Sequence, residues 1–192
     1  MRQHRYASYA EYVKAQRKGY EKKKDRVWAR SENIAALADM IGPCDTGICH
    51  GVRGGQEVEW FRTYTGAQVI GTEIGDSEAM YVIKWDFNKQ ADNWIGAFDF
   101  VYSNAFDHAF APEDTLAVWW EQVAPGGWLI IETDERNEHT GAISKPVNAV
   151  DPTGMTLTEL SAMIERVTGD APQEVPLPVV TFGYRVAVVA KK

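Results

Sequence analysis

The chain has 192 residues, 45% of them hydrophobic, and a formal charge of −7, which is enough apolar material for the core of one domain. No apolar run approaches the roughly 20 residues of a membrane-spanning helix, and the opening Met-Arg-Gln-His-Arg-Tyr lacks the apolar centre of a signal peptide, so a cytoplasmic protein is expected. Cys44 and Cys49 come without a Cys/His cluster at metal spacing; with His50 they read as packing residues, and neither a structural metal nor a disulfide framework is expected.

Charge is unevenly distributed. Residues 1–30 carry ten Lys/Arg against three acids, leaving ten bases against twenty-four acids in the rest. An acidic body argues against a broad nucleic-acid-binding face, whereas the basic arm is available for an anionic substrate, a partner or RNA, or, the preferred reading, for docking as a solvated helix face on the body itself. Within that arm the pattern predicts a helix from residue 6 to about 26, with Tyr6, Tyr9/Ala10, Val13 and Tyr20 near one stripe. A second helix is predicted over 31–41, where Ser31 can cap, Ile34, Leu37 and Ile41 repeat, and Gly42-Pro43 stops it. These two form an N-terminal helical cap, residues 1–42, ahead of a main domain, 43–192.

The stretch Gly47-Ile-Cys-His-Gly-Val-Arg-Gly-Gly-Gln-Glu-Val-Glu-Trp-Phe61 reads as strand, tight turn and helix. Glycines at 51, 54 and 55 permit positive φ and close approach of a ligand to the backbone, and the helix start offers unpaired N–H groups. A strand over 67–73 follows and ends in Glu73. Residues 74–80 are too few for a crossover helix before the next strand, 81–85, which ends at Asp86. A strand over 98–103 leads into a helix that Pro112 opens and Glu113 and Asp114 favour electrostatically, with Leu116, Trp119, Trp120 and Val123 on one face. Pro125-Gly126-Gly127 ends that helix, and 128–133 is the next strand. Residues 134–151 show no periodicity and read as a substrate-binding loop or a disordered segment, the first preferred. Helix returns over 156–167. The chain closes with an antiparallel pair, 174–180 and 184–190, turned at Gly183; Pro176 and Pro178 place the first of these at the sheet edge and the second inside.

Strands alternating with helices predict an α/β fold, a doubly wound and mostly parallel seven-stranded sheet with helices on both faces and a C-terminal antiparallel pair. Ligands of such sheets bind outside the carboxyl ends of the strands, where strand order reverses. The glycine turn, Glu73, Asp86 and Ser103-Asn104 all fall at such ends.

From Gly47 to the C-terminus the chain resembles the class I S-adenosylmethionine-dependent methyltransferases. Five blocks carry the likeness in order: Gly51-Val-Arg-Gly-Gly55, Val-Ile-Gly-Thr-Glu73-Ile, Trp-Asp86-Phe, Phe98-Asp-Phe-Val-Tyr-Ser-Asn-Ala-Phe-Asp-His108, and Ala124-Pro-Gly-Gly-Trp-Leu-Ile-Ile131. The resemblance implies S-adenosylmethionine as cofactor. It places Gly51, Val52, Arg53 and Gly55 around the methionine portion, Glu73 with Ile74 at the ribose, Asp86 and Phe87 at the adenine, and Ser103 and Asn104 near the sulfonium. His108 is then the candidate base, with Asp107 second, and His139 is placed to meet substrate. The implied acceptor is a small molecule, a sugar or a lipid-linked group, covered by the N-terminal helix and the 134–151 loop; Ser103-Asn104-Ala105-Phe106 is not the Asn-Pro-Pro-Tyr signature of amino-methylating DNA enzymes.

Three departures stand out. Cys49 occupies the place of the family's usual acid, Arg53 replaces the middle glycine, and the crossover after Glu73 is short. They leave a second expectation open, a protein of this fold that binds a nucleoside-containing ligand or a partner without transferring methyl. A nicotinamide-dependent dehydrogenase would want glycines where Arg53 and Gln56 stand.

Overall fold

The computed structural model describes residues 1–181 and 183–192. After a short strand β1 (Arg2–Gln3), helix α1 spans Tyr9–Lys23 and is capped by the Ser8 hydroxyl, which accepts from the Glu11 N–H. The helix is shorter at both ends than its 6–26 pattern, and its buried face is Tyr12, Gln16, Gly19 and Tyr20. Tyr9 and Val13 are only half-buried. The stripe is rotated because α1 meets loop backbone, a polar surface: the Tyr12 hydroxyl donates to the His108 carbonyl and the Tyr20 hydroxyl to the Asp76 carbonyl.

Helix α2 (Ser31–Ile41) has the predicted span, but its N-cap is Arg30, with no side-chain cap. Ser31 is the first helical residue and shares its hydroxyl hydrogen bond with Tyr64, 2.6 Å away. Strand β2 (Thr46–His50) leads through the glycine turn to α3 (Gln56–Thr65), and β3 (Gln68–Glu73) runs on to β4 (Val82–Lys84) with no helix between them.

Strand β5 (Phe98–Ser103) is as predicted, and α4 (Pro112–Gln122) starts on its proline. Strand β6 (Val123–Asp134) begins five residues earlier than its 128–133 pattern. Val123 pairs with Phe98 and Trp128 with Phe100, so Pro125-Gly126-Gly127 bulges within the strand instead of separating it from α4. The bulge fits Gly126, at φ +83°, and Gly127, where a Cβ would lie 2.7 Å from the Asp99 carbonyl. Strand β7 (Thr153–Gly154) pairs antiparallel with β1 and ties down the N-terminus. Helix α5 (Leu157–Thr168) carries a Thr156–Glu159 capping box. Strands β8 (Gln173–Pro176) and β9 (Arg185–Lys191) close the sheet; Pro176 lies on the edge strand, while Pro178 falls beyond it.

The seven-stranded sheet has the order β4-β3-β2-β5-β6-β9-β8, with β9 antiparallel to both its neighbours and the remaining pairs parallel. One face packs Ile48, Val101, Leu129 and Val188 against Leu116 and Trp119 of α4 and Leu160 and Ile164 of α5. The other packs Cys49, Phe100, Tyr102 and Ile130 against Ile34 and Leu37 of α2 and Val58 and Phe61 of α3. The sheet is therefore covered on both sides. Its order reverses between β2 and β5, and α1 lies across the loops at the carboxyl ends there, touching those after β3, β4 and β5. Among the described residues no helix is long and apolar enough to cross a membrane.

Candidate functional site

Two chambers open at the carboxyl ends of the strands. The inner one, about 40 Å³, has Gly51, Arg53, Glu73, Ile74, Asp86, Phe87 and His108 on the sheet side and Tyr12, Gln16, Gly19, Tyr20 and Lys23 of α1 above. The outer one, about 230 Å³, is lined by Asn104, Asp107, the Glu132–Asp134 end of β6, His139 and part of the loop after it. Lys23, Arg53 and His108 border both.

The inner chamber is shaped by carboxylates gripping backbone. Glu73 is 6% exposed. Its Oε2 accepts from the Arg53 N–H at 2.8 Å, and its Oε1 from the N–H groups of Ile74 and Gly75 at 2.8 and 3.3 Å. The glycine turn is thereby clamped to the end of β3, with Gly51 at φ +74° and its N–H on the Thr72 carbonyl. Asp86 accepts from the Tyr9 hydroxyl at 2.6 Å through Oδ2, and from the Asn88 backbone and amide through Oδ1. Burial, helped by Asp86, raises the Tyr9 hydroxyl pKa, so this phenol stays a donor.

A carboxylate offers about four lone-pair sites. Glu73 and Asp86 each use three, so each keeps about one for a ligand.

Histidines organise the boundary between the chambers. His108 Nδ1 is 2.7 Å from the Val150 carbonyl, which can only accept, so Nδ1 carries a proton, while Nε2 makes no hydrogen bond among the described residues. Nε2 faces Asp107 Oδ1 and Asp151 Oδ1, each at 3.9 Å. His139 stands between the Lys145 carbonyl at 2.9 Å and Asp107 Oδ2 at 3.4 Å. Burial disfavours its charge, but the hydrogen bond and charge of Asp107 outweigh that and raise its pKa. Burial would likewise raise Asp107, yet His108, His139 and Arg53 hold it down at about 2.

Not every predicted residue reaches a chamber. Val52 is core, and Gly55 is the N-cap of α3, packed against Val82 and Ala79. Ser103 is a fully buried pin, donating to the His50 carbonyl and accepting from the Ala105 N–H. Asn104 does line the outer chamber, and its amide donates to Glu57, whose buried carboxyl is pushed up to about 7. His50, next to the turn, bonds Thr72 and Gln122 at 2.8 Å each and stacks on Trp119; burial pushes it down to about 4, so it is a neutral core residue.

Sequence reasoning missed Glu57, Asp151 and the pairing of Glu132 with Arg185 at the outer chamber's floor. Glu132 alone left a trace, as an acid near the end of an apolar strand. The metal-ligating types Asp107, His108 and Asp151 do cluster, their candidate atoms within 4.8 Å of one another, but Lys23 pairs with Asp151 at 3.2 Å.

No family model and no curated protein matches the chain. Solved structures do. A Burkholderia thailandensis 1,6-didemethyltoxoflavin-N1-methyltransferase with bound 1,6-didemethyltoxoflavin and S-adenosylhomocysteine superposes with a TM-score of 0.71 at 18% identity, over 98% of this chain and 92% of that one. An Archaeoglobus fulgidus S-adenosylmethionine-dependent methyltransferase gives 0.66 at 13% identity, over 90% and 99%. The [4+2]-cyclase SpnF gives 0.52 at 12% identity, over 69% and 56%, so the architecture is not confined to methyl transfer. Strand order, the reversal between β2 and β5 and the closing antiparallel pair agree with these superpositions: the chain has the fold of the class I S-adenosylmethionine-dependent methyltransferases.

Proposed function

We propose that this protein is an S-adenosylmethionine-dependent methyltransferase acting on a small-molecule, sugar or lipid-linked acceptor whose reacting end is polar. The observation that carries the reading is convergence: Glu73, Asp86 and the Gly51 turn, from three different strand ends, border one chamber that joins a second, polar one at His108.

The residues fit an adenosyl group chemically. The remaining acceptor site of Glu73 suits a ribose hydroxyl, that of Asp86 suits the adenine amino group, and Phe87 supplies an apolar edge. In space the inner chamber, roofed by α1, is too small at about 40 Å³ for an adenosyl group, so the reading requires α1 to lift when the nucleoside enters. The cofactor supplies a methyl group already activated by its sulfonium; the protein's work is alignment and proton removal. In its neutral form His108 offers Nε2 to the acceptor's proton, and Asp107 and Asp151 are close enough to stabilise the resulting imidazolium. The polar lining of the outer chamber supports an acceptor bound through hydrogen bonds and charge.

Calorimetric titration with S-adenosylmethionine and S-adenosylhomocysteine tests the reading directly, and no heat from either at millimolar concentration ends it. If both bind, loss of turnover in His108→Ala with unchanged cofactor affinity supports the base assignment.

A second reading, a binding protein that transfers nothing, is favoured by the α1 closure and by Cys49, whose fully buried thiol cannot hold a ligand's ammonium group as an acid would. Equal affinity for S-adenosylmethionine and plain adenosine would support it.

A further inference from the structure

Arg53 is a strained cation whose guanidinium has no bonded partner among the described residues. It stands at φ +47°, a region that a non-glycine residue adopts at a cost of about 1 kcal/mol or more. Its backbone is pinned there from both sides, the N–H on Glu73 Oε2 and the carbonyl accepting from the Ser77 hydroxyl, each at 2.8 Å. The half-buried side chain borders both chambers, and among the described residues it makes no hydrogen bond or ion pair.

The other cations on these walls are engaged. Arg185 pairs with Glu132, Arg136 with Asp134, and Lys23 with Asp151. Among the described residues Lys145, which is exposed, resembles Arg53 in having no ion pair. Asp107 senses Arg53 but is hydrogen-bonded to His139, and Glu57 senses it but is hydrogen-bonded to Asn104. Both acids thus feel its charge but give their hydrogen bonds to other partners. A guanidinium cannot shed its charge, and its flat array of donors matches a carboxylate with two parallel bonds.

We infer that Arg53 is the receptor for a carboxylate at the junction of the two chambers. Two sources carry that group, the amino-acid end of S-adenosylmethionine and an acidic acceptor; the first rests on the function proposed above, the second does not need it. The strain at residue 53 is then the cost of holding a cation where glycine would fit more easily.

The test compares wild type, Arg53→Gly and Arg53→Lys. Glycine relieves the strain, so the first variant melts no lower than wild type, whereas a merely structural Arg53 would leave it less stable. Calorimetry then uses S-adenosylhomocysteine, which has the carboxylate, 5′-methylthioadenosine, which has the same nucleoside without it, and sodium benzoate as a free carboxylate. If the cofactor is the source, Arg53→Gly weakens S-adenosylhomocysteine tenfold or more, leaves methylthioadenosine unchanged, and Arg53→Lys recovers part of the loss. If the acceptor is the source, both nucleosides bind the variant as before, but benzoate binding to the wild type is lost in it. Equal weakening of both nucleosides, or no change with any of the three probes, overturns the inference. If wild type binds neither nucleoside, the cofactor reading alone fails, and the benzoate arm still decides the role of Arg53.

Discussion

Replacing Glu73 with Gln changes one atom and should unsettle the whole turn. The carboxylate receives three N–H groups, two on Oε1 and one on Oε2. An amide has one acceptor oxygen. Its best placement keeps the oxygen toward Ile74 and Gly75 and turns the NH2 toward the Arg53 N–H, donor against donor. One charge-assisted hydrogen bond is lost and a buried N–H is orphaned, a cost of about 1.5–3 kcal/mol. In a chain of this size about 1 kcal/mol moves the melting temperature by roughly 2–4 °C, so a fall of about 3–12 °C is expected by calorimetry. The free acceptor site for the ribose goes as well. Affinity for S-adenosylhomocysteine should then drop by a further 1–3 kcal/mol or so, about 5- to 150-fold. A melting curve superimposable on that of the parent would refute the clamp, and unchanged affinity in a destabilised variant would move the ribose away from Glu73.

Other perturbations isolate single contacts. At Gly75 a Cβ would lie 2.1 Å from the Tyr20 ring, so Gly75→Ala should push α1 off the strand ends at about 1–3 kcal/mol, read as faster tryptic cleavage within 22–26. His50 is neutral in the fold, with its pKa pushed from 6.5 to about 4, so below pH 6.5 the unfolded chain takes up a proton that the folded chain refuses. Stability should therefore fall as pH drops from about 6.5 to 4, by up to about 3 kcal/mol, and the urea midpoints of His50→Gln should follow pH less steeply there. Glu57 acts in the opposite sense: its carboxyl rises from 4.5 to about 7, so between those values the folded chain keeps a proton that the unfolded chain has released. Its contribution declines as pH rises through that window, and Glu57→Gln should gain stability relative to wild type at pH 8 but not at pH 4.

The layer order of this protein was legible because most switches between strand and helix, though not the passage from α4 to β6, are marked by a residue with a steric reason to be there. Pro112 opens α4 and Gly66 ends α3 at φ +75°. What escaped were choices made by neighbours distant in sequence. The bulge at Gly126-Gly127 exists because Val123 finds Phe98 before Trp128 finds Phe100, and local pattern cannot show that. The buried face of α1 is set by carbonyls of three loops, so a reading that seeks an apolar stripe picks Tyr9 and Val13 over Gln16. Ser31 could have capped α2 by composition, yet Tyr64 claimed its hydroxyl.

At the candidate site, position was legible and occupancy was not. An acid at a strand end announces itself, and both Glu73 and Asp86 border the inner chamber. Their chief partners, however, belong to the protein: three N–H groups for one, a tyrosine hydroxyl and Asn88 for the other. On the function proposed above these contacts and a ligand do not compete, because a carboxylate already fixed by three donors presents its last lone pair in one direction and would lose little entropy on meeting a ligand donor. The same reasoning gives the cations their meaning. Where Arg136, Arg185 and Lys23 each have an acid, their charge holds the wall together; Arg53, strained between the chambers, steadies Asp107 through charge alone, and among the described residues its guanidinium has no hydrogen bond or ion pair, which leaves its donors for a ligand.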